Sequence, residues 1–234
     1  MRKFCFITLI LTLLALFNPG YSQSPLVITG AIHEVMWQGQ LEAKIHFDTL
    51  QGHTGLFGLG PLAFLRGEVL IWDGTVMVST VDHKKQIEVR DHRHEGAPFF
   101  VHAKEAQWEK ITLPDSVRDM DKLEAFLGQL PLADGAPFAF RLEGMIDHAM
   151  IHVVDLPEGH NVASPKDAHT GQMNFELGNE KAKILGFFSR HHQSIFTHHD
   201  RFTHMHLFAE DGRKMGHLDA LHFQANRLIL WRAK

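Results

Sequence analysis

Short runs of apolar residues, separated by turn-forming residues, make up most of the chain. The clearest example is the stretch from Gly67 to Ser79, where Asp73-Gly74 divides two runs of β-forming residues. An Asp-Gly pair in this position is typical of a two-residue hairpin turn. A further strand is predicted from Phe138 to Ile146, with a continuation as far as Val154. The pattern therefore predicts a β-rich fold.

One stretch has the period of an amphipathic helix, with apolar residues at Val117, Met120, Leu123 and Leu127. Pro114-Asp115-Ser116 before it predicts an N-terminal cap, and Gly128 followed by Pro131 predicts its end. The ten residues from Gly52 to Pro61 carry four glycines. We expect a tight loop there, and the glycine spacing matches neither nucleotide-binding pattern.

The first residues have the organisation of a secretory signal peptide. Arg2 and Lys3 precede a largely apolar run from Phe4 to Phe17, and the small residues Gly20 and Ser22 suit cleavage after Ser22. The apolar run is shorter than the roughly 20 residues that a membrane-spanning helix needs. We therefore expect residues 1–22 to be removed and residues 23–234 to be exported to the periplasm or secreted.

Composition narrows the classes of partner and of metal site. The chain is 44% hydrophobic and 21% charged, which is typical of a packed globular protein and excludes disorder. Its net charge of -4 lacks the basic character of a nucleic-acid binder. The only cysteine, Cys5, lies in the expected leader, so a metal site in the mature protein must use nitrogen and oxygen ligands. Histidine is unusually frequent, at 19 residues.

The most informative histidines lie on either side of a second Asp-Gly pair, Asp211-Gly212. If these two residues form a hairpin turn, His206 lies opposite His217, and His204 lies opposite Asp219. Side chains of directly opposed residues lie about 5 Å apart on one sheet face, so three imidazoles converge. Three histidines on one face are typical of a catalytic metal site that keeps positions open for water or substrate.

The competing interpretation is that these are ordinary strand histidines in a histidine-rich chain. The hairpin register favours the metal site, because a slip of one residue would move His217 to the other face. The pairs His191-His192 and His198-His199 have no such register and lie in a polar stretch. We expect them to be solvated loop residues and not ligands.

Several elements of this chain resemble the α-acetolactate decarboxylase family. They occur in the same order as in the family and are Gly58-Leu59-Gly60 leading to Gly67-Glu68, Phe140-Arg141-Leu142-Glu143-Gly144, Gly186-Phe187, His204-Met205-His206 and Gly216-His217-Leu218-Asp219. The resemblance implies one α+β domain over residues 23–234, β-rich with few helices, in which two mixed or antiparallel β-sheet halves pack together. It also implies a commonly dimeric zinc enzyme that converts 2-acetolactate to acetoin and carbon dioxide.

The resemblance also assigns residues to roles. His204, His206 and His217 match the zinc-binding histidines of the family, whereas Glu68 and Arg141 match its active-site glutamate and arginine. Acetolactate is a β-keto acid, so its decarboxylation needs an electron sink at the ketone, which a divalent metal supplies. Arg141 is then expected to hold the carboxylate, and Glu68 to protonate the product or to orient a water.

Two positions depart from the family pattern. Pro61 occupies the place of a threonine, and this substitution removes a hydroxyl. The family also has a late glutamate at the metal site, whereas Ala220–Lys234 contains no acidic residue. Glu143, Glu210 or Asp219 would have to substitute, or the activity has diverged.

Two other classes remain open. The spacing His204-x-His206-x₃-Glu210 also satisfies the core of a cupin motif, in which Glu210 is a ligand and His217 is free. A non-enzymatic periplasmic metal-binding protein would equally explain the histidine content. The ligand set and the number of ions per chain distinguish these classes.

Overall fold

The computed structural model describes residues 26–50, 52–91, 94–105, 107–131 and 135–234. The expected signal peptide, residues 1–22, lies outside the described residues. None of the helices in the described ranges is both long and apolar enough to cross a bilayer.

Fourteen strands and three α-helices are present in the described residues. The strands are β1 Val27–Thr29, β2 Ile45–His46, β3 Leu56–Pro61, β4 Glu68–Trp72, β5 Thr75–Val81, β6 Ile87–Arg90, β7 Gly96–Ala97, β8 Phe100–Lys104, β9 Trp108–Ile111, β10 Phe138–Val153, β11 Met173–Phe188, β12 Thr203–Ala209, β13 Met215–His222 and β14 Leu228–Ala233. The α-helices are α1 Ile32–Gln38, α2 Met120–Leu127 and α3 Pro165–Ala168, and short 3₁₀ turns span Phe47–Thr49, Ala63–Leu65 and Ala225–Arg227. The β-rich α+β prediction is confirmed.

Two six-stranded sheets form the body of the molecule. The first has the order β1-β8-β3-β4-β5-β6, and the second has the order β11-β12-β13-β10-β14-β9. β10 also pairs with β11 along its length, so β10, β11, β12 and β13 form a closed ring of strands. β13 and β14 share the other edge of β10, because each pairs with a different half of this long strand.

Apolar side chains of both sheets meet in a shared core. Phe57 and Leu70 from the first sheet pack in one buried cluster with Leu185, Phe187 and Met215 from the second. The other face of the second sheet packs against α2 in a larger apolar cluster. Burial of these faces is the main stabilising contribution to the arrangement of the two sheets.

The predicted hairpin at Asp73-Gly74 is confirmed. Trp72 pairs with Thr75, and both turn residues have positive φ, +49° for Asp73 and +81° for Gly74, as a type I′ turn requires. The long strand predicted from Phe138 is also present as β10.

Two local predictions were wrong. The helix begins later than expected, at Met120, because the carboxylate of Asp119 and not the 114–116 segment accepts a hydrogen bond from the first turn, from the Lys122 N–H at 2.8 Å. The Gly52–Pro61 loop ends at Gly55, and the following residues form the buried strand β3. Gly58 lies there because a Cβ atom would come within 2.6 Å of the Phe100 ring.

The Asp211-Gly212 turn differs in detail from its prediction. The Gly212 N–H bonds to the Ala209 carbonyl at 2.9 Å, so Glu210 and Asp211 are the central residues of the turn and Gly212 follows in a left-handed conformation. The Ala209 N–H then bonds to the Lys214 carbonyl. The loop therefore has one residue more on each side than the predicted two-residue turn. Because the extension is equal on both sides, the strand register is unchanged.

Candidate metal centre

The predicted register of the histidine hairpin brings three imidazoles together. His206 on β12 is the cross-strand partner of His217 on β13, and His204 lies two residues along β12 on the same face. The three ring centroids are 4.9 to 5.5 Å apart. One nitrogen from each ring lies within 4.8 Å of the others. We call His204, His206 and His217 the histidine triad.

The triad is buried. His204, His206 and His217 are 3%, 0% and 8% exposed. Burial lowers the pKa of His206 to about 3 and holds the pKa values of His204 and His217 well below the usual range. All three imidazoles are therefore neutral near pH 7, the form in which a ring nitrogen has a free lone pair for a metal.

The hydrogen bonding of the triad also fits a metal. His204 Nδ1 and both ring nitrogens of His206 make no hydrogen bond of good geometry among the described residues, and the nearest backbone groups are those of Phe196 and Val69. A buried polar atom without a partner costs roughly 1–3 kcal/mol, so several of them in one cluster need an explanation. Three neutral imidazoles whose nitrogens converge are a suitable donor set for zinc.

Glu68, which the resemblance matches to the active-site glutamate of the family, lies beside the triad. It is the first residue of β4 in the first sheet, pairs with Pro61 and is 3% exposed. Glu68 Oε2 lies 3.6 Å from His206 Nε2, and Oε1 accepts a 3.4 Å hydrogen bond from the Val154 N–H. Burial raises the pKa of this carboxyl group well above its usual value. Glu68 therefore connects the first sheet to the triad of the second.

His152 is a part of the site that sequence reasoning missed. It is the cross-strand partner of His217, so His152, His217 and His206 form one row across β10, β13 and β12. The His152 ring stacks on that of His217 with centroids 4.6 Å apart, and its Nε2 lies 3.8 Å from Glu68 Oε1. Only the long-range pairing of β10 with β13 reveals this position. Gly216 permits that pairing, since a Cβ atom there would lie 2.5 Å from the His152 carbonyl oxygen.

A β-bulge directs Asp219 to His152. The register between β10 and β13 shifts from Met150–Ala220 to Ile151–Leu218, which leaves Asp219 as the extra residue. Instead of facing His204 in a regular ladder, as expected, Asp219 accepts a hydrogen bond from His152 Nδ1, with both carboxylate oxygens 2.8 Å away. This contact fixes the orientation of the His152 ring and turns Nε2 towards Glu68.

Two further imidazoles lie behind these residues. The His198 ring is 5.0 Å from that of His217 and 6.4 Å from that of His204, whereas the His169 ring is 6.3 Å from that of His152. Burial lowers the pKa of both His198 and His169. The prediction that His198 is a solvated loop residue was therefore wrong, because its loop folds over the triad.

The other loop histidines stay outside the cluster. His191 and His199 are exposed, as expected, and His192 is half-buried against Phe196, with its Nδ1 2.7 Å from Ser189 Oγ.

Arg141 lies on the same sheet face as the triad but points elsewhere. Leu185 stands between Arg141 and His206 in one cross-strand row, which separates their backbones by roughly 10 Å. The guanidinium lies 4.7 to 5.9 Å from the centroids of four aromatic rings, those of Phe57, Trp72, Trp108 and Trp231, and 3.3 Å from Glu143. We call these four rings the aromatic cage. The predicted role of Arg141 in holding a substrate carboxylate stays a prediction.

The alternative carboxylates have separate positions. Glu143 faces Arg141, and Glu210 is an exposed turn residue 3.5 Å from Lys181 Nζ. A cupin-like site would use Glu210 as a ligand and leave His217 free, whereas in this structure His217 belongs to the triad and Glu210 does not. Of the three candidates, Asp219 alone reaches the site.

The fold and this cluster define a class: a β-rich protein of two packed sheets, with a three-histidine candidate metal centre where the sheets meet. A family model described as alpha-acetolactate decarboxylase matches residues 29–232. The chain therefore belongs to the alpha-acetolactate decarboxylase family.

Solved structures have the same fold. Alpha-acetolactate decarboxylase from Bacillus subtilis strain 168 aligns with a TM-score of 0.72 at 17% identity, covering 90% of this chain and 85% of that one. A Staphylococcus aureus protein of unknown function, described as similar to alpha-acetolactate decarboxylase, aligns with a TM-score of 0.68 at 17% identity, covering 89% of this chain and 84% of that one. None of the curated proteins matches the chain significantly.

Proposed function

We propose that this chain is a metal-dependent decarboxylase that converts 2-acetolactate, or a related 2-hydroxy-3-keto acid, to acetoin and carbon dioxide. The observation that carries the proposal is the buried histidine triad in a chain of this family, with ring nitrogens that lack partners. His204, His206 and His217 would hold the ion, and zinc suits their geometry. The facing carboxylate of Glu68 supports catalysis over simple metal storage.

Loss of carbon dioxide from a β-keto acid leaves an electron pair that must be delocalised into the ketone. A divalent ion, if held by His204, His206 and His217, would supply Lewis-acid chemistry for the ketone and hydroxyl oxygens of the substrate. The triad is buried where the two sheets meet, and its limited exposure to water strengthens these charge interactions.

Glu68 is proposed to deliver the proton that replaces the lost carboxylate. It lies within 4 Å of both His206 and His152, so it reaches the space above the triad. Burial favours the protonated carboxyl form, as its raised pKa indicates. A protonated carboxyl group can donate to the carbon that has lost carbon dioxide.

His152 and Asp219 are proposed as positioning residues for Glu68. The hydrogen bond from its Nδ1 to Asp219 holds the His152 ring with Nε2 3.8 Å from Glu68 Oε1. This chain of contacts orients the carboxyl group over the triad.

The first test follows acetoin formation from racemic 2-acetolactate by zinc-loaded protein. Activity above the spontaneous rate is expected, and it should be lost after zinc is removed and recovered when zinc is restored. Glu68→Gln keeps the shape of the side chain, and we expect it to lower kcat by about 10²–10⁴-fold with little change in KM. Asp219→Asn should lower kcat less than Glu68→Gln and leave the zinc content unchanged.

Metal analysis separates the competing classes. We expect one ion per chain, lost in His217→Ala and retained in the matched control Glu210→Ala. An ion that is retained in His217→Ala and lost in Glu210→Ala would favour the cupin-like ligand set. Several ions per chain without acetoin formation would favour a non-enzymatic metal-binding protein.

A further inference from the structure

The two carboxylates beside the histidine triad differ in their exposure to solvent. Glu68 Oε2 lies 3.6 Å from His206 Nε2, and its side chain is 4% exposed. Asp219 Oδ1 lies 3.9 Å from His217 Nε2, and its side chain is 35% exposed. The triad imidazoles are almost enclosed, with His217 the most exposed of the three. Solvent therefore reaches the surroundings of the triad at Asp219.

Asp219 belongs to a second set of candidate metal ligands. One ligand atom from each of His152, His217 and Asp219 lies within 4.8 Å of the others, and we call these three residues the outer group. Zinc binds nitrogen and oxygen at roughly 2.0–2.2 Å, so one ion can bridge His217 Nε2 and Asp219 Oδ1 across their 3.9 Å separation. His152 Nδ1 is hydrogen-bonded to Asp219, and this bond has to open before that nitrogen can bind an ion.

The outer group and the triad share His217. In the cross-strand row, His217 on β13 lies between His152 on β10 and His206 on β12. An ion in the outer group can therefore stay in contact with His217 while it passes to the other two histidines of the triad. Continuous contact matters, because burying a charge without ligands is very costly.

The charge of Asp219 suits it to attract a cation. The basic side chains that the structure describes within 4.0 Å of its carboxylate are the imidazoles of His152 and His217, with no lysine or arginine among them. The β-bulge between β10 and β13 holds the carboxylate in this position. An exposed anionic group beside a buried site raises the local concentration of cations and the rate at which they arrive.

We propose that the outer group is an entry site through which a divalent transition-metal ion reaches the triad. Asp219 captures the ion from solvent, and His217 binds it there. His204 and His206 then complete its coordination, while the other two members of the outer group release it. The inference rests on the triad as the metal site of the proposed function, and it does not depend on the reaction that follows. Because His217 serves both sets of ligands, one ion per chain remains at equilibrium.

The kinetics of metal loading test the entry site without any substrate. Metal-free protein is mixed with excess cobalt(II), whose visible absorption reports its coordination, and dissociation is followed after transfer into excess chelator. Asp219→Asn keeps the shape of the side chain without its charge, and His152→Phe keeps a ring against His217 without ligand atoms. Glu210→Gln, which removes an exposed turn carboxylate, is the matched control for charge. His148→Phe, on the same strand as His152, is the matched control for the ring.

Both variants of the outer group should slow the exchange of the ion in both directions. We expect Asp219→Asn to slow loading about tenfold at low ionic strength, and His152→Phe to slow it as well. Dissociation should also slow, because the ion leaves by the route through which it entered. The equilibrium dissociation constant, measured by competition with a chelator, should therefore change much less than either rate. The two control variants should keep the wild-type rates.

The direction of the change in dissociation rate decides between entry and simple stabilisation. Faster dissociation with an unchanged loading rate would mean that Asp219 and His152 only stabilise the bound ion, and it would overturn the entry site. Unchanged rates in both variants would also overturn it and would leave the triad and the proposed reaction standing. A wild-type protein that binds neither cobalt nor zinc would overturn the entry site and the proposed function together.

Discussion

Replacing His206 by leucine should stabilise the metal-free protein while abolishing its response to zinc. His206 is fully buried, and its ring nitrogens make no hydrogen bond of good geometry among the described residues: the Val69 backbone lies nearby, and Nε2 is 3.6 Å from Glu68. Each such atom costs roughly 1–3 kcal/mol, and leucine fills a similar volume without polar atoms. Allowing for imperfect packing, we expect a gain of about 2 kcal/mol in the free energy of unfolding. For a chain of this length that is a rise in Tm of roughly 4–8 °C.

Zinc should reverse this order of stability. At a free zinc concentration of about 100 times the Kd, binding adds roughly 2.7 kcal/mol to the wild type, which raises its Tm by about 5–11 °C. The leucine variant lacks one of three ligands and should show little shift. Differential scanning calorimetry with zinc and with a chelator measures both effects.

His102→Leu is the matched control. His102 lies on β8 in the first sheet, is 8% exposed and has an unpartnered Nδ1, but it is not a member of the triad. This variant should match or exceed the wild-type Tm without metal and should keep the full zinc response. A His206→Leu protein that is markedly less stable than the wild type in chelator would refute the reasoning, because the unpartnered nitrogens would then carry no cost.

Three further predictions concern other parts of the chain. Arg141→Lys should lower the free energy of unfolding by about 1 kcal/mol, because an ammonium group cannot stack on several indole rings. The zinc content should stay unchanged, and loss of zinc would mean that the guanidinium reaches the triad. Burial raises the pKa of Glu105 to about 7, so the folded protein favours the neutral carboxyl group. The free energy of unfolding that this contributes is fully present below about pH 4.5 and is lost as the pH rises through 7. Glu105→Gln should remove that decline, worth about 1–3 kcal/mol, from the pH dependence of urea unfolding, and an unchanged profile would contradict the burial argument. Protein expressed with its own leader should have a mass that corresponds to an N-terminus near Gln23, and an intact leader in the membrane fraction would contradict export.

Local signals account for what the sequence predicted correctly. The Asp73-Gly74 turn and the pairing of His206 with His217 depend on a few neighbouring residues and on the two-residue period of a strand. His152 could not be found in this way, because it meets His217 only when β10 pairs with β13, which is 65 residues further along the chain. The strand nature of Gly58 was hidden for the same reason, since its strand partner His102 lies on β8. These positions depend on pairing between strands that are distant in the sequence, and local periodicity does not predict such pairing.

The closed ring of strands also explains why one strand carries both His152 and Arg141 without bringing them together. His152, His217, His206, Leu185 and Arg141 form one cross-strand row that leaves β10 near its end and returns to β10 near its beginning. His206 and His217 occupy the middle of this row, with His152 on one side, and the aliphatic side chain of Leu185 on the other side separates them from the guanidinium. The faces of the aromatic cage offer Arg141 negative potential in addition to that of the Glu143 carboxylate, which lies 3.3 Å away. A divalent ion at the triad would therefore bind beside Glu68 and Asp219 and away from the Arg141 guanidinium, so the separation of Arg141 from the triad favours metal binding.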